Sequence, residues 1–297
     1  MQAQPPRKWL MAGALAGSLL LAACGASGSA SPKSPKSTAV ASVAGKVPQK
    51  YLSKGSLTVA EDASYAPNEF FAKDGKTIIG MDADLARALG GAMGLKVDVV
   101  NASFDSILPG LASGKYDLGI SSFTDTKARE KIVDFVTYFD AGTAFFEKSQ
   151  GGPNISGLDS LCGLRVAVEK GTTQAEDAAA QSVKCTADGG KPVSVLIFPD
   201  QGSANLALTS GRADVGMADS PLADYQAQQS KGALKVVGPT YGTAPYGIAI
   251  PKNSGLAPAV VAALQYLMSN GEYSQILGNW GVSSGAINDP VINGAQS

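Results

Sequence analysis

A ten-residue phrase occurs twice in this chain, and the order of everything around it repeats as well. "SGKYDLGISS" spans Ser113 to Ser122, and "SGRADVGMAD" spans Ser210 to Asp219. Both read Ser-Gly-basic-x-Asp-apolar-Gly-apolar. Ahead of the first copy, "LTVA" (Leu57–Ala60) is a short β-prone run. Leu85, Leu89 and Met93 then recur every fourth residue, which predicts a helix over Met81–Met93. Asp82 and Asp84 at its start favour the helix dipole, and Gly94 is its stop. "KVDVV" (Lys96–Val100) alternates as a strand, Phe104–Ala112 reads as a helix ended by Gly114, and "YDLGISS" enters the next strand. Ahead of the second copy the order is the same. "LRVAVEKG" is a strand, Thr173 to Val183 is helix-prone, Val193–Phe198 is a strand, and Ser203–Thr209 is a helix ended by Gly211.

Alternation of strand and helix predicts parallel α/β sheets, and two such units predict two lobes. A third segment carries a strand at Tyr246–Lys252, a helix at Leu256–Asn270 and the closing "YSQILGNWGV". If one lobe takes this segment back, the chain crosses between lobes twice, and the two crossings form a hinge. The expected fold is therefore α/β, with two lobes that are each a mostly parallel sheet flanked by helices. The expected boundaries are 51–142 for the first lobe, 143–241 for the second, and 242–297 for the return and tail.

Open α/β sheets bind ligands beyond the carboxyl ends of their strands. In the first unit those positions hold Glu61, Asp62 and Tyr65, then Ser121, Ser122, Thr124 and nearby Arg129. In the second they hold Gly171, Thr172, Thr173 and Gln174, then Asp219. One Arg, an acid from each lobe, hydroxyls and an aromatic suit a small zwitterion. Glu61 is expected to be solvated. The 297 residues include no histidine, which excludes imidazole bases and His metal sites, and no P-loop or dinucleotide fingerprint is present. No cofactor and no metal are expected. A net charge of −1 with scattered Lys and Arg gives no sign of a nucleic-acid partner.

The first 23 residues read as a signal peptide: Arg7 and Lys8, then a Leu- and Ala-rich run too short to span a bilayer. The run ends in Leu-Ala-Ala-Cys24-Gly, which resembles the lipobox of bacterial lipoproteins and makes Cys24 the expected lipidation site. The alternative is an ordinary signal peptide with a chance cysteine. Residues 24–50, with "SPKSPKS", are expected to be a flexible linker. Cys162 and Cys185 remain, and an even remainder in an exported chain suggests a disulfide, two buried thiols being the alternative. The bridge would close a loop of about two dozen residues, worth ~3 kcal/mol.

From Leu57 to Val282 the chain resembles the polar-amino-acid solute-binding proteins of bacterial ABC importers. The motifs are "DASYAPNEF", "DGKTIIGMDADLARAL", "FDSILPGLASGKYDLGISSFTDTKAREKIVDF", "VAVEKGTTQ" and "SGRADVGMAD". The resemblance implies a periplasmic-binding-protein-like fold closing on one amino acid, in a lipid-anchored monomer on the outer face of the cell membrane that serves an importer permease. It assigns the substrate carboxylate to Arg129, whose planar guanidinium makes two parallel bonds. Ser122, Thr124 and the N–H groups around Ser121 and Thr173 complete that end, and Asp219 takes the ammonium. Asp62, Tyr65 and Phe104 match positions that contact the side chain, the two rings as a sandwich, with Thr172 and Gln174 at the rim. Acidic Asp62 favours a basic or neutral polar substrate. Asn68 replaces an aromatic usual in the family. The rival class is an enzyme on the same fold, a dehydratase acting on prephenate-like acids, which needs an acid or base over its substrate; Asp62 and Glu61 are the nearest candidates.

Overall fold

The computed structural model describes residues 39–296. The expected signal peptide, Cys24 and the start of the linker lie outside the described residues. The linker also ends earlier than expected. Two short helices, α1 (Ala41–Ala44) and α2 (Gln49–Lys54), already belong to the folded body. Val43, Val47 and Tyr51 are buried in the main core, so three apolar anchors suffice to seat an otherwise Ala- and Lys-rich segment.

The first half continues with β1 (Ser56–Glu61) and a small antiparallel sheet of β2 (Ser64–Tyr65), β3 (Glu69–Phe71) and β4 (Ile78–Ile79). Then come α3 (Met81–Met93), β5 (Lys96–Asn101), α4 (Phe104–Ala112), β6 (Leu118–Gly119) and the long β7 (Val133–Lys148). The second half runs β8 (Arg165–Glu169), α5 (Thr173–Ala187), β9 (Ser194–Phe198), α6 (Gln201–Thr209), β10 (Val215–Asp219), α7 (Ser220–Gln229) and the long β11 (Leu234–Pro251). Helices α8 (Ala257–Ser269) and α9 (Glu272–Trp280) return to the first half and pack on α3.

Eight strands form one sheet in the order β5-β1-β6-β11-β7-β10-β8-β9. On each flank the strand that comes first in its half sits in the middle: β1 between β5 and β6, β8 between β9 and β10, all parallel. The two flanks therefore share one α/β layout, as the repeated phrase predicts. They are joined by β7 and β11, antiparallel over nearly their whole lengths of 16 and 18 residues. The pairing slips register around Tyr241 and Ala244, where Gly242 sits at φ 61°, a left-handed conformation open to glycine.

The two copies of the phrase are built alike, residue by residue. Ser113 and Ser210 are the helix C-caps of α4 and α6, and their hydroxyls donate to Gly110 O and Ala207 O. Gly114 and Gly211 follow at φ 76° and 78° and turn the chain. Asp117 and Asp214 each accept the backbone N–H of the neighbouring central strand, from Thr58 in β1 (2.7 Å) and Arg165 in β8 (2.9 Å). The Ser-Gly-basic-x-Asp pattern is thus a device that ends a helix and pins the next strand beside the first.

Among the described residues, no helix is long and apolar enough to cross a membrane. Cys162 and Cys185 are joined in a disulfide that ties the entry to β8 to α5, with Cα atoms 5.6 Å apart.

Candidate ligand-binding site

The carboxyl ends of β1, β6, β8 and β10 converge on a small cavity of about 10 Å³, room for a single water. The first lobe lines it with Tyr65, Phe104, Ser122, Thr124 and Arg129. The second lobe contributes Thr172, Thr173, Gln174, Gln201, Ala218 and Asp219. Thr124, Arg129, Thr173 and Asp219 also line an adjoining open pocket of about 400 Å³ that runs toward the hinge. A wider groove of about 720 Å³ lies along the hinge between Asp140, Asp224 and Trp280, but no basic side chain lines it, and β7 contributes only mid-strand residues around Asp140. The small cavity with its outer pocket is the candidate site, because that is where charges of both signs meet.

Arg129 spans the two lobes. Its Nη1 donates to Thr124 O (2.8 Å) and its Nη2 to Gly171 O of the second lobe (2.9 Å). The guanidinium lies over the rings of Phe104 and Phe123, which stack with centroids 4.5 Å apart. Facing it is the N-terminus of α5, whose Ncap Thr172 accepts the N–H of Ala175. The first backbone N–H groups of that helix and its dipole favour an anion beside Arg129.

Asp219 closes the opposite side. It precedes α7 but makes no side-chain cap bond to it. Its carboxylate instead accepts Gln174 Nε2 at 2.7 Å, and Gln174 also donates to Thr143 Oγ1. Burial pushes the Asp219 carboxyl up to about 6. It is therefore charged near neutral pH, when an ammonium would need it.

Asp62 and Ser121 sit one layer behind the cavity wall. Asp62 accepts the N–H groups of Phe104 (2.9 Å) and Ser64 (3.1 Å), and its own N–H donates to Ser121 Oγ. Ser121 Oγ in turn donates to Glu69 Oε1 at 2.8 Å, away from the cavity. Ser122, at φ 52°, donates its N–H to Asp82 Oδ2 and accepts Asn68 Nδ2. Asn68 is thus a buried support for Ser122. Tyr65 and Phe104 meet edge to face at 5.7 Å rather than as parallel walls.

Glu61 is fully buried, not solvated as its sequence position suggests. With Glu69 and Asp82 it forms an acidic layer beneath Ser121 and Ser122, and burial raises all three. Asp82 does more than serve the α3 dipole: it accepts Tyr138 Oη with both oxygens at 2.8 Å. Sequence reasoning also missed Phe123, Gln201 and Glu169. Glu169 ends β8, the run "RVAVE", and an acid at a strand's carboxyl end was a signal that could have found it.

The sequence profile of the bacterial extracellular solute-binding proteins, family 3, matches residues 57–283. The chain belongs to this family. It is 37% identical over 248 residues to the arginine-binding protein ArgT of Corynebacterium glutamicum, covering 83% of this chain and 81% of that one. Among solved structures, an ancestral arginine-binding protein bound to arginine superposes with a TM-score of 0.69 at 36% identity, covering 76% of this chain and 98% of that one. The ancestral amino-acid-binding protein AncCDT-1, a precursor of cyclohexadienyl dehydratase, gives 0.71 at 32% identity, over 78% and 98%. The α/β architecture of this family 3 member is thus shared with amino-acid-binding proteins, one of them an ancestral precursor of a dehydratase.

Proposed function

We propose that this protein captures a basic amino acid, arginine first among them, between its two lobes and delivers it to an ABC importer. The observation that carries the reading is the opposed pair of anchors: Arg129 with the α5 N-terminus for a carboxylate, and Asp219 for an ammonium, on facing walls of one cavity. The basic side chain is favoured by Asp62 behind the same wall and by the arginine-binding relatives. In this reading the first lobe comprises 51–142 and 242–297 and the second 143–241. The hinges lie at Ala141–Ala144 and Thr240–Ala244, and a monomer tethered through lipid at Cys24 works outside the cell membrane.

The anchors are occupied by the protein's own groups: Arg129 by Thr124 O and Gly171 O, Asp219 by Gln174. A ligand replaces those partners, so closure without ligand and closure on ligand use the same atoms. Each charge-assisted hydrogen bond contributes roughly 1.5–3 kcal/mol, and a micromolar complex needs about 8 kcal/mol. Two anchors, an aromatic wall and an enclosed site reach that range.

A thermal-shift panel of the common amino acids tests this. Ligand at a hundred times its dissociation constant adds about 2.7 kcal/mol, and each kcal/mol moves the midpoint about 2–4 °C at this size. Arginine is expected to give the largest shift. A panel in which no amino acid raises the midpoint defeats the reading.

A further inference from the structure

Glu169 is 1% exposed, and neither carboxyl oxygen has a hydrogen-bond partner within 3.5 Å, the Tyr65 hydroxyl and the Asp62 carboxyl lying just beyond that reach. A buried polar group left in that state calls for a reason. The Tyr65 hydroxyl, 4% exposed in residue terms and on the cavity wall, is likewise unpartnered. These two groups come from opposite lobes and are close neighbours, with Asp62 beside them, behind the stretch of cavity wall that Tyr65 lines.

The charged groups that act on Glu169 are acidic. The loop after β1 presents Asp62, β2 presents the Tyr65 phenol, and the turn before α6 presents Asp200. Asp200 is itself engaged as the N-cap of α6 through Ser203. Thr172, at the start of α5, turns its hydroxyl to the backbone oxygen of Glu169, not to its carboxyl. The nearest basic residues in the cleft are committed elsewhere: Lys170 pairs with Asp105, and Arg129 bonds Thr124 O and Gly171 O. Asp219, on the same cavity, adds another negative charge that acts on Tyr65.

We propose that Glu169 is the cation-accepting group of the site, with Asp62 as a fixed negative charge behind it, and that Glu169 carries a proton until a cationic side chain enters and expels it to solvent. This rests on the amino-acid-capture reading above and deepens it. The balance is simple: the Glu169 O–H bond breaks, the proton leaves to buffer, and the carboxylate pairs with the arriving guanidinium or ammonium. Burial and the neighbouring acids, which push the Glu169 carboxyl up to about 9, act in the direction the step needs. They make the lone carboxylate unfavourable and the paired one favourable. A neutral side chain offers no charge to replace the proton, so it leaves Glu169 protonated. The device therefore discriminates by charge and makes binding of a basic ligand stronger as pH rises toward the carboxyl's own range.

Isothermal titration calorimetry of the purified protein with L-arginine, run in two buffers of different ionisation heat, counts the protons. About one proton released per arginine is expected near neutrality, with affinity rising about tenfold between pH 7 and pH 8. Citrulline, the neutral analogue, should bind with no proton release and a flat pH profile, and this comparison needs no variant. Glu169→Gln should bind arginine without proton release and with a flat profile, while citrulline is unaffected by pH in both proteins. Arginine binding with no proton released, or proton release that persists in E169Q, overturns this inference and leaves amino-acid capture standing. A protein that binds no amino acid at all defeats the capture reading and the inference with it.

Discussion

The two copies of the repeated phrase share their beginnings and differ at their ends. In both, a Ser caps a helix, a Gly turns the chain and an Asp pins the central strand. After that, the first copy turns inward. Ser121 bonds Glu69, Ser122 bonds Asp82 and Asn68, and the strand end is fixed to a buried acidic layer. The second copy stays open to the cavity: Asp219 carries no cap bond, accepts the movable amide of Gln174 and has the Tyr246 hydroxyl close by. The difference teaches how one layout serves two purposes. In the proposed reading the first lobe is a fixed platform that presents Arg129, and the second lobe brings charges that exchange a protein partner for a ligand.

The largest expected effect comes from removing the platform's anchor. Arg129→Met keeps much of the length over Phe104 and Phe123 but loses the guanidinium that bridges to Gly171. Loss of two charge-assisted bonds, roughly 3–6 kcal/mol, is expected to weaken amino-acid binding more than a hundredfold by calorimetry. A loss below tenfold would mean that the carboxylate is held elsewhere.

On the second lobe, Asp219→Asn keeps a partner for Gln174 but removes the charge. A drop of roughly 10- to 100-fold is expected, corresponding to one charge-assisted bond of about 1.5–3 kcal/mol. The unliganded melting point should hardly fall, because the same change also removes a buried carboxylate raised to about 6. Equal destabilisation of the free protein would make Asp219 part of the scaffold and erase the contrast between the two strand ends.

Much of this plan is legible in the sequence, and the reasons for what is not are physical. The helices α3 and α4 were readable to the residue because Leu85, Leu89 and Met93 keep one face and glycines follow each helix. The parallel strands of each flank were implied by the repeated context, but not their order or their joining into one eight-stranded sheet. Of the two long strands at the hinge, only the end of β11 was read as a strand, at Tyr246–Lys252; β7 is buried on nearly every residue, "VDFVTYFDAGTAFFEK", so it has no alternation to announce a strand. Residues 39–50 look like linker because Val43 and Val47 are sparse, and their burial in the first core, with Tyr51 just beyond, is what seats them. In the site, Arg129, Asp219 and the Thr172–Gln174 corner followed from strand ends. The burial of Glu61 did not, since the partners that make it costly, Asp82 foremost, are far along the chain. Charge alone carries no record of burial; Glu61, Asp62 and Glu169 look alike in sequence and end in three different environments.

The smallest effect tests whether the first lobe's hydroxyls belong to scaffold. Burial raises Asp82 to about 6, from about 3.9 in an unfolded chain. The folded state therefore binds its proton more tightly, so the stability it contributes is complete below about pH 4 and is lost as pH rises through about 6. Glu61 and Glu69 shift in the same direction. Thermal midpoints of the free protein should fall between pH 4.5 and pH 7 by a few degrees, at about 2–4 °C per kcal/mol. Asp82→Asn resembles the protonated acid and keeps an oxygen for the Ser122 N–H and the Tyr138 hydroxyl. It should flatten part of that slope while changing amino-acid affinity less than Asp219→Asn does. If D82N instead weakens binding as much as the second-lobe variant, the acidic layer is positioning the ligand and not merely the strand, and the two ends of the repeat are closer in purpose than their hydrogen bonds indicate.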